Sequence, residues 1–151
     1  MGYHDLARLI EGLSAIAIGS RDQELVPACT LAVGAQADDA GRLTVYVPDA
    51  IGAAIFRNVE ANGRVAVVME HIPTHRTVQV KGRCLEMRPA REDERPIVER
   101  SQAQFLEVVA LIGAPAHAAR RRRWPCRAIT FSVDEVYEQT PGPRAGLPLP
   151  S

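Results

Sequence analysis

The chain has a single lysine, Lys81, beside seventeen arginines, and its 18 basic and 18 acidic side chains leave no net formal charge. Proteins that grip nucleic acid mainly through their overall field carry a basic excess, so this balance argues against that class while leaving room for a local basic site. Long apolar runs are missing too. None approaches the ~20 residues that a membrane-crossing helix needs. Cysteine is sparse: Cys29, Cys84 and Cys126 stand too far apart for a C-x-x-C clip or a zinc-ligand pattern. Such a set reads as reduced thiols of a cytoplasmic protein. Cys29 and Cys84, in strand-like apolar stretches, read as small buried core residues. The opening Met1-Gly2-Tyr3-His4-Asp5 has an acid and no basic segment, which argues against a signal peptide, and Leu6 stands where a myristoylation signal needs Ser or Thr. No Gly-rich phosphate loop follows a strand, which removes the Rossmann and P-loop readings.

What is present is enough apolar material for one core. A hydrophobic fraction of 46% over 151 residues fits a single domain spanning 1–151. Leu6, Leu9, Ile10 and Leu13 share one face of a short helix over 5–13, with Asp5 at its N-cap or first turn. Strands follow at 14–19, 26–36 and 42–47, the last two joined by the polar loop 37–41 as a hairpin. A helix over 49–61 turns Ile51, Ala54, Ile55 and Val59 to one side and ends at Asn62-Gly63, where glycine suits a left-handed cap. Strands at 64–70 and 76–88 come next. In the second, Arg76, Val78 and Val80 alternate with Thr77, Gln79 and Lys81, and Gly82 marks a bulge or bend. A polar helix over 90–112 carries Ile97, Phe105, Val108, Val109 and Leu111 on its apolar side; a short helix over 116–123 precedes a last strand at 127–138. Strands in consecutive runs with helices between them exclude a βαβ alternation and favour a small antiparallel barrel with peripheral helices, a mainly β (α+β) architecture.

Four groupings could carry chemistry. Residues 74–82 place Thr74, His75, Arg76, Thr77, Gln79 and Lys81 on one strand, rich in hydrogen-bonding groups, with a guanidinium fork at Arg76 suited to phosphate; the plainer reading is a solvated surface strand. His75 lacks a carboxylate partner nearby in sequence, and Pro73 prevents a helical metal pair with His71, so no metal site is expected. Arg120, Arg121, Arg122 and Arg123 followed by Trp124 read as a solvated helix end or interface, or more sharply as a phosphate or nucleic-acid patch with an aromatic platform. The Pro- and Gly-rich tail 140–151 either is disordered or lays Arg144 across a partner subunit or a ligand. No Ser-His-Asp or Cys-His arrangement can be assigned, so no catalytic residue is named.

Three stretches together resemble the pyridoxamine 5′-phosphate oxidase-like, FMN-binding split-barrel family, in particular its small single-domain bacterial members. They are Gly41-Arg42-Leu43-Thr44-Val45-Tyr46-Val47-Pro48, the helix end Asn58-Val59-Glu60-Ala61-Asn62-Gly63 with the strand after it, and Arg76-Thr77-Val78-Gln79-Val80-Lys81-Gly82. The resemblance implies an antiparallel split β-barrel homodimer with peripheral helices and two FMN sites at the subunit interface. It implies polar flavin contacts from Thr74, His75, Arg76, Thr77 and Gln79, and a flavin ring running beside Val45, Tyr46, Val47 and Pro48. The activity implied is that of an FMN-dependent oxidoreductase of unknown substrate. Two departures stand out. Residues 27–34 and 49–54 contain no basic side chain where the family holds the FMN phosphate, which weakens charge-assisted phosphate binding unless Arg57, Arg64 or Arg76 compensates. The C-terminal Arg-x-His substrate motif is absent, which argues against pyridoxamine phosphate oxidation itself. The rival expectations are a barrel that has lost FMN and serves as a ligand-binding or interaction protein, and one using deazaflavin or haem. Partners are expected to be a second copy and a small molecule, with neither membrane nor nucleic acid.

Overall fold

The computed structural model describes residue 10, residues 14–111, residue 113 and residues 123–150. Along the chain run β1 (Ser14–Arg21), β2 (Pro27–Leu31), β3 (Ala35–Ala37), β4 (Leu43–Pro48), α1 (Ala53–Asn62), β5 (Arg64–His71), β6 (Arg76–Pro89), a 3-10 turn (Glu92–Glu94), α2 (Arg95–Leu111) and β7 (Cys126–Glu138). The strands form one antiparallel seven-stranded sheet in the order β2-β1-β5-β6-β7-β4-β3. Its two edge strands are consecutive in sequence. At their junction Ala32 N–H donates to the Ile16 carbonyl of β1 at 2.9 Å, and the next residue, Val33, donates to the Tyr46 carbonyl of β4 at 2.8 Å. The chain therefore passes directly from one edge of the curled sheet to the other, while β2 and β3 do not pair with each other, which leaves the barrel split. This is a split β-barrel, and no described helix is long and apolar enough to cross a membrane.

Period-two alternation fills the interior. Ile16 and Ile18 of β1, Leu43, Val45 and Val47 of β4, Val65, Val67 and Met69 of β5, Val78 and Val80 of β6, and Ile129 and Phe131 of β7 form one buried cluster. β-branched residues dominate it, which suits a pleated surface. Helix α1 adds Ile55, Phe56 and Val59 to the same cluster. Asn58 Nδ2 donates to Ser20 Oγ at 3.1 Å and Asn62 Nδ2 to the Arg21 carbonyl at 2.7 Å, so α1 closes the barrel where β1 ends. Gly63 ends α1 at φ 68°, as expected from Asn62-Gly63. Helix α2 lies outside, with Val98 packed against Tyr46, Cys126 and Ala128 on the outer faces of β4 and β7.

Several boundaries and burials differ from the sequence reading. The expected strand 26–36 is two strands, because residues 32–34 change partner from β1 to β4. The helix expected from 49 begins at Ala53, and Ile51 is exposed in the turn before it. The polar helix starts at Arg95, not 90: β6 runs on to Pro89 and a 3-10 turn intervenes, with Pro96 in the helix's first turn, where its missing N–H costs nothing. Leu111, expected on the apolar side, is 79% exposed at the helix end. Cys29 is exposed because β2 is an edge strand whose outward positions face solvent; Cys84 is half-buried and Cys126 buried. The helices expected over 5–13 and 116–123 lie outside the described residues except for Ile10, which is buried, and Arg123.

The tail is not a free end. Glu138 N–H donates to the Leu147 carbonyl at 2.9 Å and Leu149 N–H to the Val136 carbonyl at 2.8 Å. It returns along β7 where β4, paired only from Leu43 to Pro48, does not reach. Arg144 thus sits on an intrachain hairpin.

The long pair β6–β7 slips register between Lys81 and Gly82. A Cβ built on Gly82 would stand 1.6 Å from the Ser132 carbonyl oxygen, so only glycine lets the strands approach this closely. Gly82→Ala is expected to cost about 3 kcal/mol or more, at the upper end of overpacking penalties, and to lower Tm by roughly 10 °C. Gly19→Ala, whose Cβ would meet nothing closer than 3.7 Å, leaves Tm nearly unchanged. Thermal denaturation of the two variants checks this.

Candidate functional site

The residues expected to line a cofactor fall into two groups that the fold keeps apart. Val45, Tyr46 and Val47 are fully buried. Val45 and Val47 point into the barrel core. Tyr46 points outward but lies beneath α2, where its hydroxyl donates to Glu94 Oε1 at 3.2 Å and accepts from Gln36 Nε2 at 2.8 Å. Only Pro48 of this group reaches an open cleft.

The second group sits at the β5–β6 hairpin. Thr74 Oγ1 bonds His71 Nδ1 at 2.8 Å. Contrary to the expectation from sequence, His75 has a carboxylate partner, because the hairpin turn brings its Nδ1 to 2.9 Å from Glu70 Oε1. His75 holds a left-handed φ of 56°, uncommon for a residue with a Cβ. Thr77 is committed inside the chain: its N–H donates to Thr140 Oγ1 at 3.0 Å, its hydroxyl to the His75 carbonyl at 2.9 Å, and its carbonyl accepts from Gln139 N–H at 2.9 Å. Arg76 is exposed and Gln79 half-buried. Val78 to Val80 pair with the last residues of β7, whereas Val45 to Pro48 pair with its first. The two groups therefore occupy opposite ends of β7 and do not meet within one chain.

Strand register assembles a surface that the sequence did not announce. Leu31, Ala17, Val68, Gln79 and Tyr137 form one cross-strand row, and Cys29, Gly19, Ala66, Lys81 and Glu135 the next. All lie on the outer face, because their neighbours Ile18, Val67, Val78 and Val80 fill the core. Across β1 and β5 this face carries the small apolar side chains of Ala17, Ala66 and Val68 together with Gly19, all half-buried. Gln79 and Lys81 border it, with Lys81 Nζ 4.5 Å from the Tyr137 ring centroid. The hint in the sequence was the small residues at alternate positions, Ala15, Ala17, Gly19, Ala66 and Val68. Only pairing makes them neighbours.

This face fits a planar ring system bordered by an amide and an ammonium group. The phosphate end is less well supplied. The exposed Arg57 lies on α1 and Arg64 opens β5 opposite Arg83, both away from the hairpin. Arg76 opens β6, and with Arg144 from the tail it stands near Glu138. Hydrogen bonds from Thr140, then these two guanidinium groups, hold the Glu138 carboxyl below its usual range. Arg76 is thus the one base among those three positioned beside the candidate strand.

The sequence reading also missed the buried charge cluster that fixes β4 and α2. Glu94 is 4% exposed. Arg88 grips it with Nη1 and Nη2 donating to its two oxygens at 2.7 Å each, and Arg91 N–H donates to Oε2 at 2.8 Å. Arg88 before all, then the Arg91 amide, lowers the Glu94 carboxyl to about 2 against the opposing pull of burial. Burial, then the Glu94 anion, raises the Tyr46 phenol well above its usual range. Burial, then Asp49 and Glu94, pushes the Cys126 thiol up to about 12, which makes it an unreactive core group. Trp124 Nε1–H donates to Glu92 Oε1 at 3.2 Å, and the Arg95 guanidinium lies 5.3 Å from the Trp124 ring. Among the described residues no group of three or more His, Cys, Asp and Glu side chains could hold a metal.

No protein-family model matches the chain, and no curated protein sequence matches it. Solved structures do. HupZ of Group A Streptococcus superposes with a TM-score of 0.58 at 12% identity, covering 97% of this chain and 100% of that one. A candidate pyridoxamine 5′-phosphate oxidase of Lactobacillus delbrueckii gives 0.56 at 14% identity, over 88% and 90%. An F420 reductase gives 0.52 at 15% identity, over 85% and 93%. The chain thus has the split-barrel fold of the pyridoxamine 5′-phosphate oxidase-like proteins, the fold that the strand pair, the helix end and residues 76–82 implied.

Because the Glu94 pKa is lower in the folded chain than in the unfolded one, its stabilisation is complete above the ordinary carboxylate range and is lost as pH falls from about 4.5 towards about 2. The loss amounts to about 3 kcal/mol. Glu94→Gln removes the bidentate partner of Arg88, which keeps Glu86 at 3.2 Å, and is expected to cost about 3 kcal/mol at pH 7. It should also flatten the stability curve between pH 5 and 2. Urea midpoints of both proteins at pH 7 and pH 3 test this.

Proposed function

We propose that the protein is a flavin-binding oxidoreductase of the pyridoxamine 5′-phosphate oxidase-like type, with FMN as the cofactor and a substrate other than pyridoxamine phosphate. The observation that carries this reading is the outer face of β1 and β5, bordered by Gln79 and Lys81 in register. When bound, the flavin supplies the electron transfer. The chain presents an apolar bed for the ring, an amide at Gln79 for its polar edge, and Arg76 for the phosphate. Hydride transfer to a flavin needs no proton from the protein, so this division of labour requires no general acid or base. A second copy completes the site: the hairpin group and Pro48 lie at opposite ends of one chain, and a homodimer offers a way for them to converge. Structural likeness to an F420 reductase supports a deazaflavin as the alternative cofactor.

A second reading has its own support. Thr77, expected to contact flavin, spends its polar groups on His75, Gln139 and Thr140. With no base in residues 27–34 or 49–54, this favours a barrel that has given up FMN and binds another small molecule without catalysis.

Titration of the purified protein with FMN, followed by flavin fluorescence, separates the two. The oxidoreductase reading expects quenching, with Arg76→Ala weakening FMN about 10- to 100-fold, the loss of one charged hydrogen-bonding group, while affinity for riboflavin, which has no phosphate, stays unchanged. A colourless protein that quenches neither FMN nor a deazaflavin supports the non-catalytic reading. Light scattering in the same buffer reads the oligomeric state, for which a dimer is expected.

A further inference from the structure

Lys81 is the one lysine of the chain. It stands half-buried on the outer face of β6, in the row of Gly19, Ala66, Lys81 and Glu135. Glu135 faces it directly across the β6–β7 pair, where opposite charges ordinarily meet. Here they do not. No carboxylate among the described residues pairs with the Lys81 ammonium, and its Nζ rests 4.5 Å from the centroid of the Tyr137 ring instead. Glu135 is turned the other way, because the Tyr137 hydroxyl donates to its Oε2. Tyr137 thus occupies both charges at once, the cation on its ring face and the carboxylate on its hydroxyl, and keeps them from neutralising each other. Arg83, two positions further along β6, shows the contrast: Asp134 Oδ2 lies 3.9 Å from its Nε.

We propose that Lys81 is the group that sets the reduction potential of the bound flavin, its ammonium facing the polar edge of the ring, with Tyr137 as the positioning residue that keeps this charge uncompensated. The inference rests on the flavin reading and deepens it. The row of Ala17, Val68 and Gln79 and the row of Gly19, Ala66 and Lys81 are neighbours. A ring lying on the small side chains of β1 and β5 therefore meets Gln79 and Lys81 along one edge, with the two residues about 7 Å apart along β6. The edge that suits the Gln79 amide is the edge that carries the ring's carbonyl oxygens. A flavin that accepts a hydride takes up two electrons and one proton, so it gains one negative charge, and that charge gathers at this same edge. An ammonium beside it attracts the reduced ring more strongly than the neutral oxidised ring. The difference between the two attractions is a shift in potential. Partial burial of Lys81 limits the screening of its charge by salt.

The test measures the potential of FMN bound to the full chain, by reductive titration against a dye of known potential, together with Kd for oxidised and for reduced FMN. Lys81→Met is expected to weaken reduced FMN about 10-fold more than oxidised FMN, which lowers the potential by about 30 mV for a two-electron couple. Lys81→Arg, which keeps the charge, should recover most of that shift. Tyr137→Leu should free Glu135 to pair with Lys81 and so lower the potential too, and adding Glu135→Gln to it should restore the potential. A role in packing alone would weaken both oxidation states equally and leave the potential where it was. Because Lys81 is the one lysine, isotope-labelled reductive methylation, which keeps its charge, gives it a side-chain NMR signal of its own, and FMN is expected to shift that signal. Melting curves establish that each variant is folded. FMN that binds without moving the Lys81 signal, or a potential that Lys81→Met leaves unchanged, overturns this inference and leaves the flavin reading standing. A chain that binds neither FMN nor a deazaflavin overturns both.

Discussion

Everything in this molecule hangs on one change of partner. Between Ala32 and Val33 the backbone leaves the Ile16 carbonyl of β1 and takes up the Tyr46 carbonyl of β4. Through that exchange the chain bridges the two edge strands, β2 and β3, the sheet curls, and the alternate side chains of six strands face a common centre. Each later feature follows from the closure. The core has two ends, so α1 must cover the one beyond β1. The outer surface is divided, so β4 and β7 can lie under α2 while β1 and β5 stay open.

The charge cluster around Glu94 serves the same closure from outside. β4 is buried on both faces, which is unusual for a strand next to a sheet edge. Its outward Tyr46 would be an unsatisfied phenol under α2 if Gln36 and Glu94 did not meet it. Glu94 in turn can be buried only because Arg88 supplies a bidentate partner and Arg91 a backbone donor. A strand, a 3-10 turn and the start of α2 are thereby locked in one orientation.

The outer surface divides along the same line. β1 and β5 carry small apolar side chains in register with Gln79 and Lys81, while β4 and β7 lie under α2. Among the described arginines, Arg88 and Arg95 are engaged by Glu94, Glu92 and Glu99.

The sequence by itself determined the strand and helix succession, the Gly63 cap, the bulge at Gly82 and the inward alternation of Val78 and Val80, because each is set by local conformational preference or by period-two patterning. It also carried enough local order to suggest the split barrel. It did not show that residues 26–36 break at the seam, since a change of hydrogen-bond partner leaves no mark in side-chain periodicity. Nor could it show that Tyr46 is sealed under α2, that Thr77 is tied to the tail, or that Ala17 and Val68 adjoin. These are contacts between residues distant in sequence, and only the register of the closed sheet decides them.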